Sequence, residues 1–508
     1  MKNYSELKSG SDVRGFASDI FENEINLTDE AVYDISAAFV PFLSKNTGKE
    51  ATELKIAVGH DSRITANRIK AKVIEALLDA GVTAVDCGLS STPAMFMTTV
   101  LAECDGAVQI TASHHPADRN GLKFFLKTGG LDGKDIKEIL TAAENGEFAP
   151  KATGKVETRN FMDEYSALLR SIICRELGVS EEDKPLKDRH IVVDAGNGAG
   201  GFYAEKVLAP LGADISGSVY LDPDGMFPNH IPNPEHPLAM ASISDAVINS
   251  GADLGVIFDT DVDRAACVDS DGVEINRNRL IALAAAIVLE NEPGSTIVTD
   301  SVTSSGLKTF IEQDLGGKHH RFKRGYKNVI NEAVRLCEEG INAPLAIETS
   351  GHAALKENYF LDDGAYLITK IIIKDAKLKR EGKSISDLFK NLKMPKDQKE
   401  MRFDILVEEF RSYGECVIEG LERWCEANKD MGFAIADDNR EGIRVNTKDG
   451  WFLLRLSVHD PVMPMNIESD KENGVREIVE TIAPFFFNCR FLNTDSLREY
   501  LNGEGNDD

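Results

Sequence analysis

The sequence predicts three related α/β domains in tandem, each on a mixed or mostly parallel sheet, followed by a smaller fourth domain. Length is the first observation, because 508 residues suffice for three or four domains of about 150 residues each. A plan that occurs three times is the second: an apolar strand, a polar loop containing aspartate, a helix and then a glycine. Four polar clusters that directly follow apolar runs are the third.

The repeated plan and the linkers between its copies set the domain boundaries. The three copies are Ile56–Val58 with the helix through Ile74–Leu78, Ile191–Val193 with Glu205–Leu208, and Thr296–Val298 with Lys308–Ile311. Glu147–Gly154 is typical of a linker, and the charged, proline-containing Leu392–Asp397 marks the entry to the last domain. We therefore expect domains at 1–153, 154–278, 279–394 and 395–508.

Composition excludes several classes of protein. A formal net charge of −27 and a pI near 4.9 argue against a nucleic-acid-binding or anionic-membrane surface, which needs basic patches. Eight scattered cysteines form no Cys-x-x-Cys pair, which favours reduced thiols. The N-terminal stretch has no apolar signal core, and no uncharged apolar run is long enough to span a bilayer. We expect a cytoplasmic protein whose partners are small molecules, with no nucleic-acid or membrane partner.

The segment Thr111–Pro116 carries the strongest chemical signal. The apolar run Ala107–Ile110 before it predicts a buried strand, so Ser113 lies on the turn where that strand ends. A serine hydroxyl is a weak nucleophile, and His114 or Lys123 could assist it as a base or cation. The segment favours a site that accepts and returns a phosphoryl group; a polar surface turn is the alternative.

An acidic loop, Phe258–Arg264, follows the apolar strand Leu254–Ile257. Its carboxylates Asp259, Asp261 and Asp263 occupy alternate positions and can turn their oxygens onto one hard cation, whereas uncompensated they would repel each other. The loop has no cysteine or histidine to favour zinc, and it lacks the longer glycine-containing loop of an EF-hand. We predict Mg²⁺ here, with a solvated acidic turn as the alternative.

Two further loops offer groups that suit a sugar phosphate. Glu348–His352 follows the strand Pro344–Ile347 and supplies an acceptor, a hydroxyl and an imidazole, which suit vicinal sugar hydroxyls. Near the C-terminus, Arg455 and Ser457 place a guanidinium and a hydroxyl just after a strand, as an anion site requires.

In order and spacing, these four loops resemble the α-D-phosphohexomutase family, which includes phosphomannomutases, phosphoglucomutases and phosphoglucosamine mutases. The resemblance covers nearly the whole chain, and it extends to Gly10–Gly15, Gly59–Arg63, Asp194–Gly200, Phe227–His230, Pro232–Pro234 and Asp362–Gly364. It implies an active site in a central cleft and a C-terminal domain of the α+β class. It also implies an enzyme that interconverts hexose 1-phosphate and hexose 6-phosphate of mannose, glucose or both.

The resemblance implies a role for each loop as well. Ser113 is expected as a phosphoserine, the reaction passes through a bisphosphorylated sugar, and hexose 1,6-bisphosphate serves as activator together with Mg²⁺. The implied catalytic residues are Arg14, Ser113, His114, Lys123 and His352, with Asp61 orienting phosphate or base. The implied metal ligands are Ser113, Asp259, Asp261 and Asp263. The implied substrate-binding residues are Arg264, Lys323, Gly325, Glu348, Ser350, Arg455, Ser457 and His459.

One loop departs from the family pattern. The family usually has Arg-x-Ser-Gly-Thr-Glu-Pro, whereas this chain has Arg455–Pro461 with Val458 in place of the glycine and His459 in place of the threonine. A β-branched residue resists the positive φ that glycine permits, so the backbone of this loop is expected to differ. His459 can still donate to a phosphate, with a charge that depends on pH.

Other functions fit parts of the sequence. Val256–Val262 matches the nucleophilic-aspartate signature of haloacid-dehalogenase-like phosphatases, but that reading leaves Ser113 unexplained. The altered loop at Val458 and His459 allows a sugar-phosphate-binding pseudoenzyme. Glu348 suits equatorial hydroxyls common to glucose, mannose and glucosamine phosphates, so a phosphoglucosamine mutase is a further alternative and the sugar is not specified. Monomer and homodimer are both compatible with the sequence.

Overall fold

The computed structural model describes residues 2–457 and 460–503. It divides into two compact units. The first comprises the described residues up to Ile287 together with Ser350–Leu388, and the second comprises Val288–Thr349 together with the described residues from Phe389 onward. Val458 and His459, the altered positions of the last loop, lie outside the described residues.

The first segment of the chain forms a mixed eight-stranded sheet with four helices. The strands are β1 (Lys8–Ser9), β2 (Asp12–Phe16), β3 (Lys55–His60), β4 (Thr83–Leu89), β5 (Gly106–Ile110), β6 (Arg119–Leu126), β7 (Gly129–Gly130) and β8 (Lys155–Thr158). The helices are α1 (Asp29–Thr47), α2 (Ala66–Asp79), α3 (Thr92–Leu101) and α4 (Gly133–Asn145). The strand order is β1-β2-β6-β5-β3-β4-β8, with β7 on β6.

The pairing in this sheet brings two predicted loops to one edge. Strand β3 pairs in parallel with β4 and β5, whereas β6 runs antiparallel to β2 and β5. Because β3 and β5 are parallel neighbours, the loops after their carboxyl ends share an edge, where ligand sites of α/β sheets form. One loop contains Asp61 and Arg63, and the other contains Ser113.

The second segment forms a four-stranded sheet that presents the acidic loop. Its elements are β9 (Ile191–Asp194), β10 (Leu254–Phe258), β11 (Ala265–Asp269), β12 (Glu274–Ile275), α5 (Phe161–Leu177), α6 (Pro237–Ser250) and α7 (Asn278–Asn291). Strands β9 and β10 are parallel, and β10 and β11 are antiparallel and joined by residues 259–264.

The helix predicted through Glu205–Leu208 is a wide turn of π-helix, Tyr203–Leu208, which is rarer than an α-helix and has no clear sequence signal.

The third segment contributes to both units. Its elements are β13 (Thr296–Thr299), β14 (Lys318–Arg321), β15 (Leu345–Ile347), β16 (Ala353–Leu355), β17 (Leu361–Asp362), α8 (Ser305–Thr309), α9 (Tyr326–Glu338) and α10 (Gly364–Arg380). In the second unit β13 pairs in parallel with β14 and β15. In the first unit β16 and β17 form an antiparallel pair, and α10 follows them.

The last segment is an antiparallel sheet with helices, and it belongs to the second unit. Its elements are β18 (Asp397–Asp404), β19 (Ala434–Ile435), β20 (Ile443–Thr447), β21 (Gly450–Leu454), β22 (Val462–Ser469), α11 (Phe410–Ala427), α12 (Gly474–Phe486) and α13 (Asp495–Asn502). The strand order is β18-β22-β21-β20-β19, over a core that includes Phe403, Phe452 and Phe486. The fold class expected from the sequence, three α/β segments with mixed sheets and a smaller α+β segment, is confirmed. Among the described residues, no helix is both long and apolar enough to cross a membrane.

Candidate active site

Ser113 lies on a strained turn directly after β5, as the sequence predicts. Its φ of 50° is in the left-handed region, which costs about 1–3 kcal/mol for a residue with a Cβ. The backbone N–H of Ser113 donates to Thr111 Oγ1 at 2.8 Å. Its hydroxyl donates to Asp259 Oδ2 at 2.9 Å, and His114 Nδ1 lies 3.4 Å from the same hydroxyl. The turn therefore directs the serine oxygen toward the acidic loop.

The three carboxylates of the acidic loop are buried together. One oxygen from each of Asp259, Asp261 and Asp263 lies within 4.8 Å of the others. Oδ2 of Asp261 accepts from Thr92 Oγ1 at 2.5 Å and from Lys123 Nζ at 2.9 Å. Lys123 also donates to Asp263 Oδ2 at 2.5 Å. Within the described part of the chain, Oδ1 of Asp261 and Oδ1 of Asp263 have no hydrogen-bond partner. Thr92 and Lys123 thus orient the carboxylates through Oδ2, and the Oδ1 atoms are available to bind a cation.

The backbone of the acidic loop is held from two sides. Val262 has a φ of 69°, and its carbonyl accepts from the backbone N–H of Gly364, the first residue of α10, at 3.1 Å. A Cβ on Gly364 would lie 2.8 Å from the Arg264 carbonyl oxygen, so the close approach requires glycine. On the other side the Thr92 N–H, at the start of α3, donates to the Asp261 carbonyl at 2.8 Å.

Arg264 carries positive charge into the same cluster. Its side chain is almost fully buried, with Nε 3.2 Å from Asp259 Oδ2 and Nη1 donating to Asn233 Oδ1 at 3.0 Å. Nη2 has no hydrogen-bond partner among residues 2–457 and 460–503. A buried guanidinium with a spare donor fits an anionic oxygen, since such pairs are charge-assisted.

Burial and charge set the protonation of the cluster. Burial, together with Asp263 and Asp261, raises the pKa of Asp259 well above its usual value. Burial also acts to raise the pKa of Asp263, but Lys123, His352 and Arg264 outweigh it and lower the pKa overall. Two carboxylates this close cannot both ionise freely, so their pKa values move apart unless a cation joins them.

The pKa values of the two predicted histidines are shifted in opposite directions. His352 Nδ1 lies 2.5 Å from Asp362 Oδ2, and although burial opposes it, Asp362 and Asp263 raise the pKa of His352 to about 9. Burial and Arg264 lower the pKa of His114 to about 2. The raised pKa favours the imidazolium form of His352, and the lowered pKa favours the neutral imidazole of His114.

Arg14 and Asp61 lie in the first unit with the cluster. Arg14, on β2, pairs with Asp12 through Nη2 and Oδ2 at 2.9 Å. Asp61 is fully buried, its Oδ1 accepts from the Arg63 backbone N–H at 3.0 Å, and Oδ2 lies 3.4 Å from Arg63 Nε. Burial raises the pKa of Asp61 to about 6. The structure thus places Asp61 against Arg63.

The substrate-binding residues predicted from the third segment divide between the units. Ser350 is buried in the first unit, whereas Lys323, Gly325 and Glu348 belong to the second. There the Gly325 N–H, at a backbone φ of 115°, donates to Glu348 Oε1 at 2.6 Å. Glu348 therefore closes the turn that leads into α9, and a carboxylate oxygen is fixed beside a positive-φ glycine.

The predicted anion loop follows β21 in the second unit. The backbone N–H of Arg455 donates to the Pro464 carbonyl at 3.1 Å, and the backbone N–H of Ser457 donates to the Val462 carbonyl at 2.9 Å. Arg455 Nε has no hydrogen-bond partner in the described structure, and Ser457 Oγ accepts from the Asp460 N–H at 3.3 Å. The arrangement leaves a guanidinium donor for a ligand, and His459 lies outside the described residues.

Comparison with known proteins shows which proteins this chain is similar to. The chain matches models described as phosphoglucomutase/phosphomannomutase alpha/beta/alpha domain I over residues 6–150, domain II over 163–272 and domain III over 276–394. The phosphomannomutase/phosphoglucomutase of Pseudomonas putida is 30% identical over 431 residues, which span 84% of this chain and 86% of the relative. A phosphoglucomutase of Neisseria meningitidis is 32% identical over 455 residues, spanning 89% of this chain and 92% of the relative.

The chain belongs to the phosphoglucomutase/phosphomannomutase family. The solved structure of a phosphoglucomutase/phosphomannomutase family protein from Burkholderia thailandensis is 25% identical with a TM-score of 0.76, and the match covers 96% of this chain and 98% of that chain. The resemblance stated from the sequence, and with it the enzyme class of phosphotransferase mutases, is confirmed. The acidic cluster expected to hold metal is present in this member of the family.

Sequence reasoning missed three residues that contact the cluster or its loops. Asp362 has no assigned role in the sequence pattern beyond the motif Asp362–Gly364, yet its carboxylate binds His352. Arg63 likewise has no assigned role beyond the motif Gly59–Arg63, yet it binds the loop that carries Ser113. Thr92 was not singled out, although Ser91 and Pro93 around it give the signal of a helix N-terminus. That this terminus meets Asp261 depends on tertiary packing, for which one sequence holds no signal.

Proposed function

We propose that this member of the family interconverts hexose 1-phosphate and hexose 6-phosphate of mannose, glucose or both, with Ser113 as the phosphoryl carrier. The observation that carries the proposal is the hydrogen bond from the Ser113 hydroxyl to Asp259 inside the acidic cluster. A serine oxygen fixed beside three buried carboxylates is suited to hold a phosphoryl group against a divalent cation.

Mg²⁺ is the metal we propose for Asp259, Asp261 and Asp263, with the Ser113 oxygen or its phosphate as a further ligand. The donor set supports this, because it consists of oxygens, and two carboxylate oxygens lack a hydrogen-bond partner in the described structure. When bound, the ion would neutralise charge on the transferring phosphoryl group. Lys123 donates to Oδ2 of both Asp261 and Asp263, so the oxygens without a hydrogen-bond partner in the described structure are their Oδ1 atoms.

In the proposed cycle the bond between phosphorus and Ser113 Oγ breaks as a bond forms to the free hydroxyl of the sugar monophosphate. That hydroxyl loses its proton and Ser113 Oγ gains one, which leaves a bisphosphorylated sugar. The sugar then presents its other phosphate, and Ser113 takes it back with the reverse proton movements. Arg264 Nη2 is the proposed donor to the transferring group, and Lys123 and His352 are the proposed partners in proton exchange.

Remaining assignments follow the same proposal. Arg14 orients phosphate, Glu348 and Ser350 bind sugar hydroxyls, and Lys323 and Gly325 line the substrate loop. Arg455, Ser457 and His459 bind the non-reacting phosphate. A hexose 1,6-bisphosphate is the proposed activator, because it can restore a lost phosphoserine. We also propose a cytoplasmic monomer or homodimer with domain boundaries at 153, 278 and 394.

Replacement of Ser113 tests the proposal. Intact-protein mass spectrometry after incubation with glucose 1,6-bisphosphate should show a phosphate-sized adduct on the wild type, and Ser113→Ala should lose both the adduct and mutase turnover of glucose and mannose phosphates. Ser90→Ala is the matched control, because Ser90 is also buried on a loop and its hydroxyl donates to the Cys87 carbonyl. Turnover retained in Ser113→Ala, with an adduct on Asp259, would instead favour the phosphatase reading.

A further inference from the structure

The side chain of one arginine, Arg63, donates several hydrogen bonds to the loop that carries Ser113. Arg63 Nη1 donates to the carbonyls of Pro116 and Arg119 at 2.7 and 2.8 Å. Arg63 Nη2 donates to the carbonyls of His115, at 2.6 Å, and Ser113. One guanidinium thus binds four backbone carbonyls, three in the loop after β5, including that of the serine itself, and one on Arg119, the first residue of β6.

Arg63 is itself fixed in place. Its side chain is fully buried, with Nε beside Asp61 Oδ2 at 3.4 Å. The ring of Phe227 lies 5.3 Å from the guanidinium carbon. A Cβ on Gly225 would lie 2.7 Å from the Arg63 carbonyl carbon, so the loop that supplies Phe227 presses directly on this backbone. The anchor therefore has little freedom to adjust to a change in the loop.

The turn needs such an anchor because its conformation is unfavourable. Ser113 holds a φ of 50°, and strain of this kind persists only where the surroundings over-determine it. Apart from the guanidinium, the turn is closed by hydrogen bonds from Ser113 N–H to Thr111 and from His115 N–H to the Ala112 carbonyl. These two bonds close the turn locally, whereas Arg63 ties it to the loop that follows the neighbouring strand β3.

We infer that Arg63 is a positioning residue for the phosphoryl carrier: by binding the four carbonyls it sets the direction of Ser113 Oγ toward Asp259. The inference rests on the proposed role of Ser113. The contacts of Arg63 go to backbone carbonyls, Asp61 and the Phe227 ring, so it acts on the reaction through the serine loop. The planar guanidinium of Arg63 has enough N–H donors in a fixed geometry to bind four carbonyls. A lysine ammonium has only three donors, on a flexible side chain.

Steady-state kinetics of the full chain test the inference. With glucose 1-phosphate, mannose 1-phosphate and saturating glucose 1,6-bisphosphate, Arg63→Lys should lower kcat by about 100-fold, the effect of a displacement of about 1 Å in a reacting group. KM should change by less than about threefold, since no substrate contact is lost. Arg68→Lys is the control, because Arg68 also binds one carboxylate, Asp29, and one carbonyl, that of Ala17. It should leave both constants unchanged.

Turnover is expressed per phosphorylated molecule, with the phosphorylated fraction measured by intact-protein mass spectrometry. An arginine needed only for folding would reduce the phosphorylated fraction and leave this rate unchanged, which would overturn the inference. Phe227→Leu provides a second variant that keeps the buried charge. Loss of the ring over the guanidinium should lower kcat by about threefold at constant KM.

The outcomes separate this inference from the proposed function. If Ser113→Ala is inactive while Arg63→Lys and Phe227→Leu both turn over at the wild-type rate, the inference about Arg63 is wrong and the role of Ser113 stands. If Ser113→Ala is active, the proposed function is wrong and the inference fails with it. A rise in KM with unchanged kcat in Arg63→Lys would assign this arginine to substrate binding instead.

Discussion

Thr92→Val should weaken the binding of a divalent cation without changing the shape of the site. The Thr92 hydroxyl donates at 2.5 Å to Oδ2 of Asp261, and both residues are buried. Valine has nearly the same volume and retains the backbone N–H that donates to the Asp261 carbonyl at 2.8 Å. The substitution therefore removes one hydrogen bond that orients a ligand.

The contacts at Oδ2 set the size of the effect. A hydrogen bond to a charged group contributes about 1.5–3 kcal/mol, which corresponds to a factor of about 10 to 150 in an equilibrium constant. Lys123 still donates to the same oxygen at 2.9 Å, so the carboxylate keeps part of its orientation. We therefore expect the lower end of the range, an increase of about 10- to 30-fold in the dissociation constant. Partners that orient metal ligands commonly have effects of about this size.

Isothermal titration calorimetry of the dephosphorylated protein with Mg²⁺ and with Mn²⁺ measures this change. Thr98→Val is the matched control, because Thr98 lies on the same helix, is equally buried, and donates within the helix to the Met95 carbonyl. Both variants lose one buried hydroxyl, but only Thr92→Val should alter the dissociation constant. Equal metal affinity in the two variants would refute the assignment of Asp261 as an oriented ligand.

Three further outcomes are expected. Arg455→Ala should raise KM for both the 1- and the 6-phosphate by about one to two orders of magnitude, since a charge-assisted bond to phosphate is lost; a change for only one of them would contradict reorientation of the sugar. Chelation of divalent metal should stop turnover while circular dichroism shows the fold retained; full activity in chelator would remove the metal from the mechanism. Burial raises the pKa of Glu468 to about 7 against the opposing effect of Arg444, so the native state favours the protonated form and loses stability as pH rises from about 4.5 through 7. Glu468→Gln, which keeps an acceptor for Trp451, should thus raise the melting temperature more at pH 8 than at pH 5; equal shifts would contradict the buried-acid assignment.

The ends of apolar strands were the most informative part of the sequence. Ser113 follows β5 and Asp259 follows β10, and the hydrogen bond between them joins residues 146 positions apart. Each loop could be recognised alone because buried strands have continuous apolar sequences and their polar successors must lie at an edge of the sheet. That the two edges meet followed from the family resemblance, and no local pattern predicts it.

The backbone conformation preferred by a residue type does not predict the conformation found at the candidate site. Val262 is β-branched and fully buried, yet it adopts a φ of 69°. Propensity alone argues against this conformation. The contacts of its neighbours and the N–H of Gly364 on its carbonyl fix it in place. Arg63 is a similar case, since its four acceptors are backbone carbonyls, and carbonyls have no sequence signature.

The spacing of the acidic loop from its partners has a consequence for synthesis on the ribosome. Thr92 and Asp261 are 169 residues apart in the chain, and Lys123 and Asp263 are 140 apart. At a synthesis rate of about 5–20 residues per second, roughly 8 to 34 s separate the addition of Thr92 from the addition of Asp261. Ser113 and Lys123 are therefore synthesised well before the carboxylates that they bind in the folded protein. The proposed nucleophile, Ser113, is therefore synthesised before the carboxylates that we propose bind the metal. A truncated chain that ends before Asp259 would lack those carboxylates and could not transfer a phosphoryl group.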